Sequence, residues 1–233
     1  MDQQSMKELV GRRAVEALVK SGMKLGLGTG STAIPAVQHI GRLLADGALR
    51  DILAVPTSLQ TAIECEKWGI PLYTLNSREI GGTLDLTIDG ADEVDPNNCL
   101  TKGGGGALLL EKILAYSSRS YAIVVDESKL VPNLALQFPL PIEVVSEARL
   151  AVINYLESLG AEAVLREAVR KAGPVITEHG NLLIDARFKA PVDPGEMEGA
   201  LNRRPGVVEN GFFTQLRPRV FIARADGSVE ERE

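Results

Sequence analysis

Residues 88 to 112 read IDGADEVDPNNCLTKGGGGALLLEK, a stretch holding the residue types that move protons and steady negative charge. Asp89, Asp92, Glu93 and Asp95 crowd its first part, Lys102 precedes four consecutive glycines, and Glu111 follows on a helical pattern. A carboxylate made more basic by a partly dry site can carry a proton between adjacent carbons. A lysine can stabilise an enediolate oxygen electrostatically, and neighbouring aspartates can hydrogen-bond sugar hydroxyls. The D-x-[DN]-x-[DN]-G order of a calcium loop is absent, so the acids do not read as a cation site. Acidic runs are usually solvated loops. Here, however, four glycines carry a conformational-entropy cost, and backbone packed closely against a ligand accounts for it better.

A second motif, GLGTGSTA (26–33), alternates glycines with Leu27 and Thr29 and then presents Ser31 and Thr32. Glycines let backbone N–H groups approach a ligand, and a helix N-terminus favours an anion. A P-loop would need Gly-Lys-[Ser/Thr], and no lysine precedes these hydroxyls. A dinucleotide fingerprint would need G-x-G-x-x-G, and the spacing here is G-x-G-x-G. A single phosphate group suits the turn. A tight strand-to-helix turn with Ser31 or Thr32 as N-cap suits it too. Phosphate site, carboxylate base and cationic stabiliser together suggest aldose–ketose isomerisation of a sugar phosphate, with no metal and no cofactor.

These residues need elements to place them. Met6, Val10, Ala14 and Leu18 fall four apart, which predicts an amphipathic helix ended by Ser21-Gly22. Alternation over 23–27 predicts a strand running into the glycine turn, and helical spacing resumes over 32–46, with Pro35 in its first turn. Strands are expected at 51–56, 70–75, 83–89 and 121–126, and helices at 57–69 and 107–118. This alternation implies an α/β, Rossmann-like domain with a mostly parallel sheet and helices on both faces. Ligands bind beyond the carboxyl ends of such strands, so loops 28–32, 56–58 and 89–106 are expected to converge on one cleft.

From about residue 140 the pattern changes to PIEVV (strand), a helix over 146–160 with Ser146 as N-cap, AEAVLRE (strand), and two strands in PVITEHGNLLIDAR. A helix over DPGEMEGALNRR and a strand over GVVENGFF follow. That order predicts an inserted ferredoxin-like α+β subdomain with one extra strand over 140–214, the α/β catalytic domain taking 1–139 and 215–233. VFIAR (220–224) is expected to return to the main sheet.

The chain has 233 residues, 45% of them apolar, which suits a packed core. Net charge is −6 (25 basic against 31 acidic), without a dense basic run, which argues against a nucleic-acid partner. No apolar run is long enough for a membrane span, and the mixed charges of the first residues read as a folded helix and not a signal peptide. Cys65 and Cys99 lack metal-ligand spacing and are expected to be structural thiols in a reducing cytoplasm. His39 and His179 are read as structural or surface residues.

At these motifs the sequence strongly resembles ribose-5-phosphate isomerase, type A. GLGTGSTA, VPTS (55–58), DGADE (89–93), KGGGGALLLEK (102–112), DESK (126–129), FPLPIEV (138–144) and RPGVVENG (204–211) stand in that family's order and span nearly the whole chain. The resemblance implies interconversion of ribose 5-phosphate and ribulose 5-phosphate in the pentose phosphate pathway, on an α/β domain with an inserted ferredoxin-like subdomain. It implies that Glu111 shuttles the proton between C1 and C2 and that Asp89 assists ring opening and proton movement at the sugar oxygens. Asp92, Lys102 and the backbone of Gly103, Gly104 and Gly105 would hold the reacting oxygens, beside the Gly90 and Ala91 backbone. Thr29, Gly30, Ser31 and Thr32 would bind substrate near its phosphate, with Lys129 and Lys7 supplying positive charge. Leu109-Leu110 replaces a Thr-Arg pair common in the family. The resemblance further implies a homodimer or homotetramer.

Two other readings stand beside it. A CoA-transferase or amino-sugar-phosphate deaminase could share the fold, but a deaminase would be expected to place a histidine among the acids, and both histidines lie far from them in sequence. A sugar-phosphate sensor would normally carry a DNA-binding module and would have no need of Glu111.

Overall fold

The computed structural model describes residues 1–233. The chain opens with α1 (Gln3–Leu18), β1 (Lys24–Leu27), α2 (Ala33–Ala45), β2 (Leu53–Pro56), α3 (Leu59–Lys67) and β3 (Leu84–Asp89). It continues through β4 (Glu93–Val94), β5 (Leu100–Thr101), α4 (Leu108–Tyr116), β6 (Ser118–Asp126), β7 (Leu140–Val144) and α5 (Arg149–Ser158). The last third holds β8 (Ala161–Leu165), β9 (Leu182–Phe188), α6 (Pro194–Asn202), β10 (Val207–Asn210), β11 (Phe212–Phe213), β12 (Arg219–Ala223) and β13 (Val229–Arg232). These elements form two units. One comprises Met1–Ala91, Leu110–Lys129 and Leu216–Glu233; the other comprises Asp92–Leu109 and Leu130–Gln215.

The first unit is built on a six-stranded sheet in the order β13-β12-β6-β3-β1-β2. Every pairing is parallel except that of β13 with β12. Alternate residues of neighbouring strands, Leu25 and Leu27, Leu86 and Ile88, Ala122 and Val124, pack with Val10 and Ala14 of α1 and Val37 and Ile40 of α2. Each of the buried valine, leucine and isoleucine side chains contributes about 1.5–3 kcal/mol, which is what fixes the two helices to that face. Leu114 of α4 packs with Val55, Ile80 and Leu84 in a separate cluster. Asp2 caps α1 by accepting from the Ser5 N–H at 2.8 Å. As expected, residues 219–223 rejoin this sheet, parallel to β6; the edge strand β13 was not foreseen. No helix is long and apolar enough to cross a membrane.

The second unit follows the order β7-α5-β8-β9-α6-β10, with an antiparallel sheet arranged β10-β7-β9-β8. That is the ferredoxin-like plan. A separate three-stranded sheet, β11-β5-β4, ties residues 93–94 and 100–101 to 212–213. This pairing places Asp92–Leu109 in the second unit, which therefore takes in more than the expected 140–214 segment.

Three local expectations fail for identifiable reasons. Residues 70–75 make one bridge, Leu72 to Ala54, and no strand; the chain then turns at Thr74–Ser77, where the Thr74 N–H donates to Ser77 Oγ. Residues 174–177 likewise make isolated bridges only, because Thr177 Oγ1 accepts the His179 and Asn181 N–H groups and closes a turn. Ser146 does not cap α5: a 3-10 turn at Ser146–Ala148 precedes the helix, whose cap position is Ala148, and Ser146 Oγ donates to Glu147 at 2.9 Å.

Cys65 is fully buried and forms no disulfide. Burial first, and then the neighbouring Glu64 and Glu66 carboxylates, push its thiol up to about 12. The thiolate is the reactive form, so iodoacetamide at pH 8 is expected to leave Cys65 unmodified in the native protein and to label it after denaturation in guanidinium. Mass spectrometry of the digested protein reads this directly; labelling of the native protein at Cys65 would refute it.

Candidate active site

In the first unit, parallel strands β1, β2, β3 and β6 all end at the same edge of the sheet. Residues 28–32, 57–58, 89–91 and the 3-10 turn Glu127–Lys129 therefore leave the sheet together. The sequence requires this: a parallel strand must end where its crossover begins, and each of these segments is a crossover start.

The glycine turn and the first acid are one hydrogen-bonded assembly. The Thr29 N–H donates to Asp89 Oδ1 at 3.1 Å, and the Gly90 N–H donates to the same oxygen at 2.7 Å. Gly28 leaves the room: a Cβ there would lie 2.0 Å from Asp89 Oδ1. Thr29 Oγ1 lies 2.6 Å from both Thr57 Oγ1 and Ser58 Oγ, and the Gly30 N–H donates to Gln60 at 3.1 Å. At the far end of the turn, Lys7 Nζ donates to Ser31 Oγ at 2.9 Å. Thr32 stands at the N-cap of α2, and its side chain makes no capping bond. The turn's hydroxyls are thus not spent on the helix, which removes the capping explanation for GST. Lys129 sits half-exposed on the turn after β6, at the same sheet edge.

Glu111 lies in the first turn of α4 and is buried, 4% exposed; Asp89 is wholly buried. The Tyr121 phenol, on β6, reports on both. Burial first, and then the carboxylates of Asp89 and Glu111, hold it well above the ordinary tyrosine pKa. Thr87 and Tyr121 are register partners, and Asp89 follows Thr87 by two residues on the same strand face. Nothing in the sequence singled out Tyr121, because its relation to the acids runs through sheet register.

In the second unit, Asp92 Oδ2 accepts the Gly104 N–H at 2.7 Å. Gly104 is required here: a Cβ would lie 2.6 Å from Asp92 Oδ1 and 2.8 Å from the Phe138 ring. Lys102 is 2% exposed, its backbone N–H bonded to Gly211 O at 2.8 Å and its Nζ 5.6 Å from the Phe213 ring centre. Gly105 is exposed. Arg166 and Asp185, which sequence reasoning passed over, hold this loop from behind. Their positions carry no local motif, since their partners lie far along the chain. His39 stands 3.7 Å from Glu16, and burial lowers its pKa; His179 is exposed in a turn.

Within the first unit a glycine turn contacted by a lysine is bonded to a buried aspartate, and Glu111 is buried as well; within the second unit a glycine loop follows a buried lysine. The Ribose 5-phosphate isomerase A (phosphoriboisomerase A) family profile matches residues 53–227. A Treponema denticola protein named ribose-5-phosphate isomerase A is 53% identical over 238 residues, covering 99% of this chain and 100% of that one. A solved structure described as D-ribose-5-phosphate isomerase in complex with phospho-erythronic acid is 40% identical, with a TM-score of 0.95 and complete coverage of both chains. The ribose 5-phosphate isomerase A structure from Methanocaldococcus jannaschii is also 40% identical, with a TM-score of 0.91 over 98% of each chain.

Proposed function

This chain belongs to the ribose 5-phosphate isomerase A family, and from that premise we propose how its residues divide the work. As a member it is an aldose–ketose isomerase interconverting ribose 5-phosphate and ribulose 5-phosphate. The Glu111 carboxylate takes the C2 proton of the open-chain aldose. The electron pair left behind forms the C1–C2 double bond, and negative charge moves to O1. Asp89 moves a proton at the sugar oxygens, O2 losing one as O1 gains one. Glu111 then returns its proton to C1, and the ketose results. Lys102, Asp92 and the Gly103–Gly105 backbone steady the enediolate while charge develops, where preorganised donors act most strongly.

The substrate phosphate sits at the turn 29–32, near the N-terminus of α2, with Lys7 and Lys129 supplying positive charge. Gly90 and Ala91 contribute backbone contacts. One observation carries this reading: a single turn binds the Asp89 carboxylate through the Thr29 N–H and presents Ser31, already in contact with Lys7, at its other end. We further propose that the protein acts in the cytoplasm as a homodimer or homotetramer, with no nucleic-acid or membrane partner and no cofactor.

Purified protein in EDTA is expected to form ketose from ribose 5-phosphate at the rate seen without chelator. Loss of turnover in EDTA with recovery on adding a divalent ion would overturn the metal-free mechanism. Binding of ribose 5-phosphate without turnover would favour a sensor.

A further inference from the structure

A run of glycines has no side chains to fix its peptide planes, so each plane can rotate at little cost. The donors proposed to steady the enediolate belong to such a run. One bond inside the run, from the Gly106 N–H to Gly103 O at 2.9 Å, closes a turn; contacts from outside the run can fix its planes further.

The structure supplies a clamp. Arg166 follows directly after β8, its N–H bonded to Leu183 O at 2.8 Å and its carbonyl accepting the Val175 N–H at 2.9 Å. Its side chain is 17% exposed. One edge of the guanidinium is taken by Asp185 of β9: Nε donates to Oδ2 at 2.8 Å and Nη2 to Oδ1 at 2.5 Å. The remaining nitrogen, Nη1, donates to two successive loop carbonyls, Gly104 O at 3.0 Å and Gly103 O at 3.3 Å. This uses the planar fork of arginine in a way a lysine ammonium cannot reproduce.

In a trans peptide the C=O and the following N–H point in opposite directions. With Gly103 O on Arg166, the Gly104 N–H must point the other way, and there it meets Asp92 at 2.7 Å. The first plane is thus held on both sides. With Gly104 O on the same nitrogen, the Gly105 N–H is likewise turned away from Arg166, on an exposed residue. The paired carboxylate of Asp185 keeps the guanidinium from swinging off the carbonyls.

We propose that Arg166, oriented by Asp185, is a positioning residue for the isomerisation: it sets the peptide orientation of Gly103–Gly105, so that the Gly104 N–H holds Asp92 in place and the Gly105 N–H is the donor offered to the enediolate. This rests on the reading above, that the glycine-loop backbone serves the reacting oxygens. The clamp acts on developing charge. Its loss therefore lowers kcat and leaves substrate affinity nearly intact, since the phosphate is held elsewhere.

The test compares wild type, Arg166→Lys, Arg166→Ala and Asp185→Asn. Four quantities are read: kcat and KM for ribose 5-phosphate, affinity for phospho-erythronate, melting temperature, and hydrogen exchange of peptides covering 102–108. Phospho-erythronate carries a carboxylate where the enediolate carries its charge. Removing one preorganised donor typically costs 10²–10³-fold, so a loosened donor set is expected to lower kcat by about 10- to 100-fold. Phospho-erythronate should weaken in parallel, KM should move less than about threefold, and exchange should quicken over 102–108. Guanidinium ion at millimolar concentration should restore part of kcat in Arg166→Ala. Unchanged kcat in the folded variants, or a fall in melting temperature with kcat and exchange at 102–108 intact, overturns the proposal. If wild type itself shows no turnover, the isomerase reading fails first; if wild type turns over and the variants match it, only the clamp fails.

Discussion

Glu111→Gln is expected to lower kcat for ribose 5-phosphate by about 10³-fold or more, with KM little changed. Glutamine keeps the size and hydrogen-bonding shape of the side chain but cannot accept the carbon-bound proton. General bases contribute typically 10²–10⁴-fold, and the upper part of that range applies because no second base is proposed at the carbons. A thousandfold loss corresponds to about 4 kcal/mol of barrier. With the substrate phosphate proposed to sit at the turn 29–32, ground-state binding is expected to survive, the pattern of an interaction made only in the transition state. The residue is buried in the first turn of a regular helix, and a neutral isostere leaves α4 in place. Steady-state kinetics beside a circular-dichroism melt decides the matter. Near-normal turnover in a folded variant would remove Glu111 from the mechanism.

Lys102→Met is expected to cost about 10²–10³-fold in kcat, the typical effect of losing one preorganised electrostatic contact to a developing oxyanion. Methionine fills much of the same volume without the charge, and it can rest against the Phe213 ring that the ammonium now faces at 5.6 Å. The loss should shrink in Lys102→Arg, which keeps the charge, although the larger guanidinium does not fit the same place. Equal kcat in Lys102→Met and wild type would mean that the buried lysine is structural and that the oxyanion is met by backbone alone.

Much of the candidate site is legible in the sequence because its residues lie close together along the chain. Asp89 and Asp92 lie three residues apart, and Lys102 and Glu111 lie on either side of the glycines, so residue type and spacing suggest the class of chemistry, while the role of each residue comes from the family resemblance. The Asp89–Thr29 bond was foreseeable only in outline, as two loops leaving parallel strands at one edge. What stayed hidden depends on partners distant in the chain. Arg166 reaches carbonyls more than sixty residues back, and Tyr121 feels the charge of the acids from a neighbouring strand. Neither leaves a local pattern. The strand expected at 70–75 failed because a Thr74–Ser77 turn competed successfully with the ladder. The small sheet at 93–94, 100–101 and 212–213 was missed because two-residue strands have no measurable period.

Asp89 fills the space that any side chain at position 28 would need, its oxygen 2.0 Å from where a Cβ would begin. The two positions are therefore locked together as a descent problem. A lineage substituting residue 28 first would displace the carboxylate, and one shortening Asp89 first would gain nothing, since a Cβ at 28 would still lie 2.6 Å from the Cα of residue 89. This glycine is therefore held in place by how closely the chain at position 89 passes and not by the bend of its own backbone, whatever residue a lineage carries at 89.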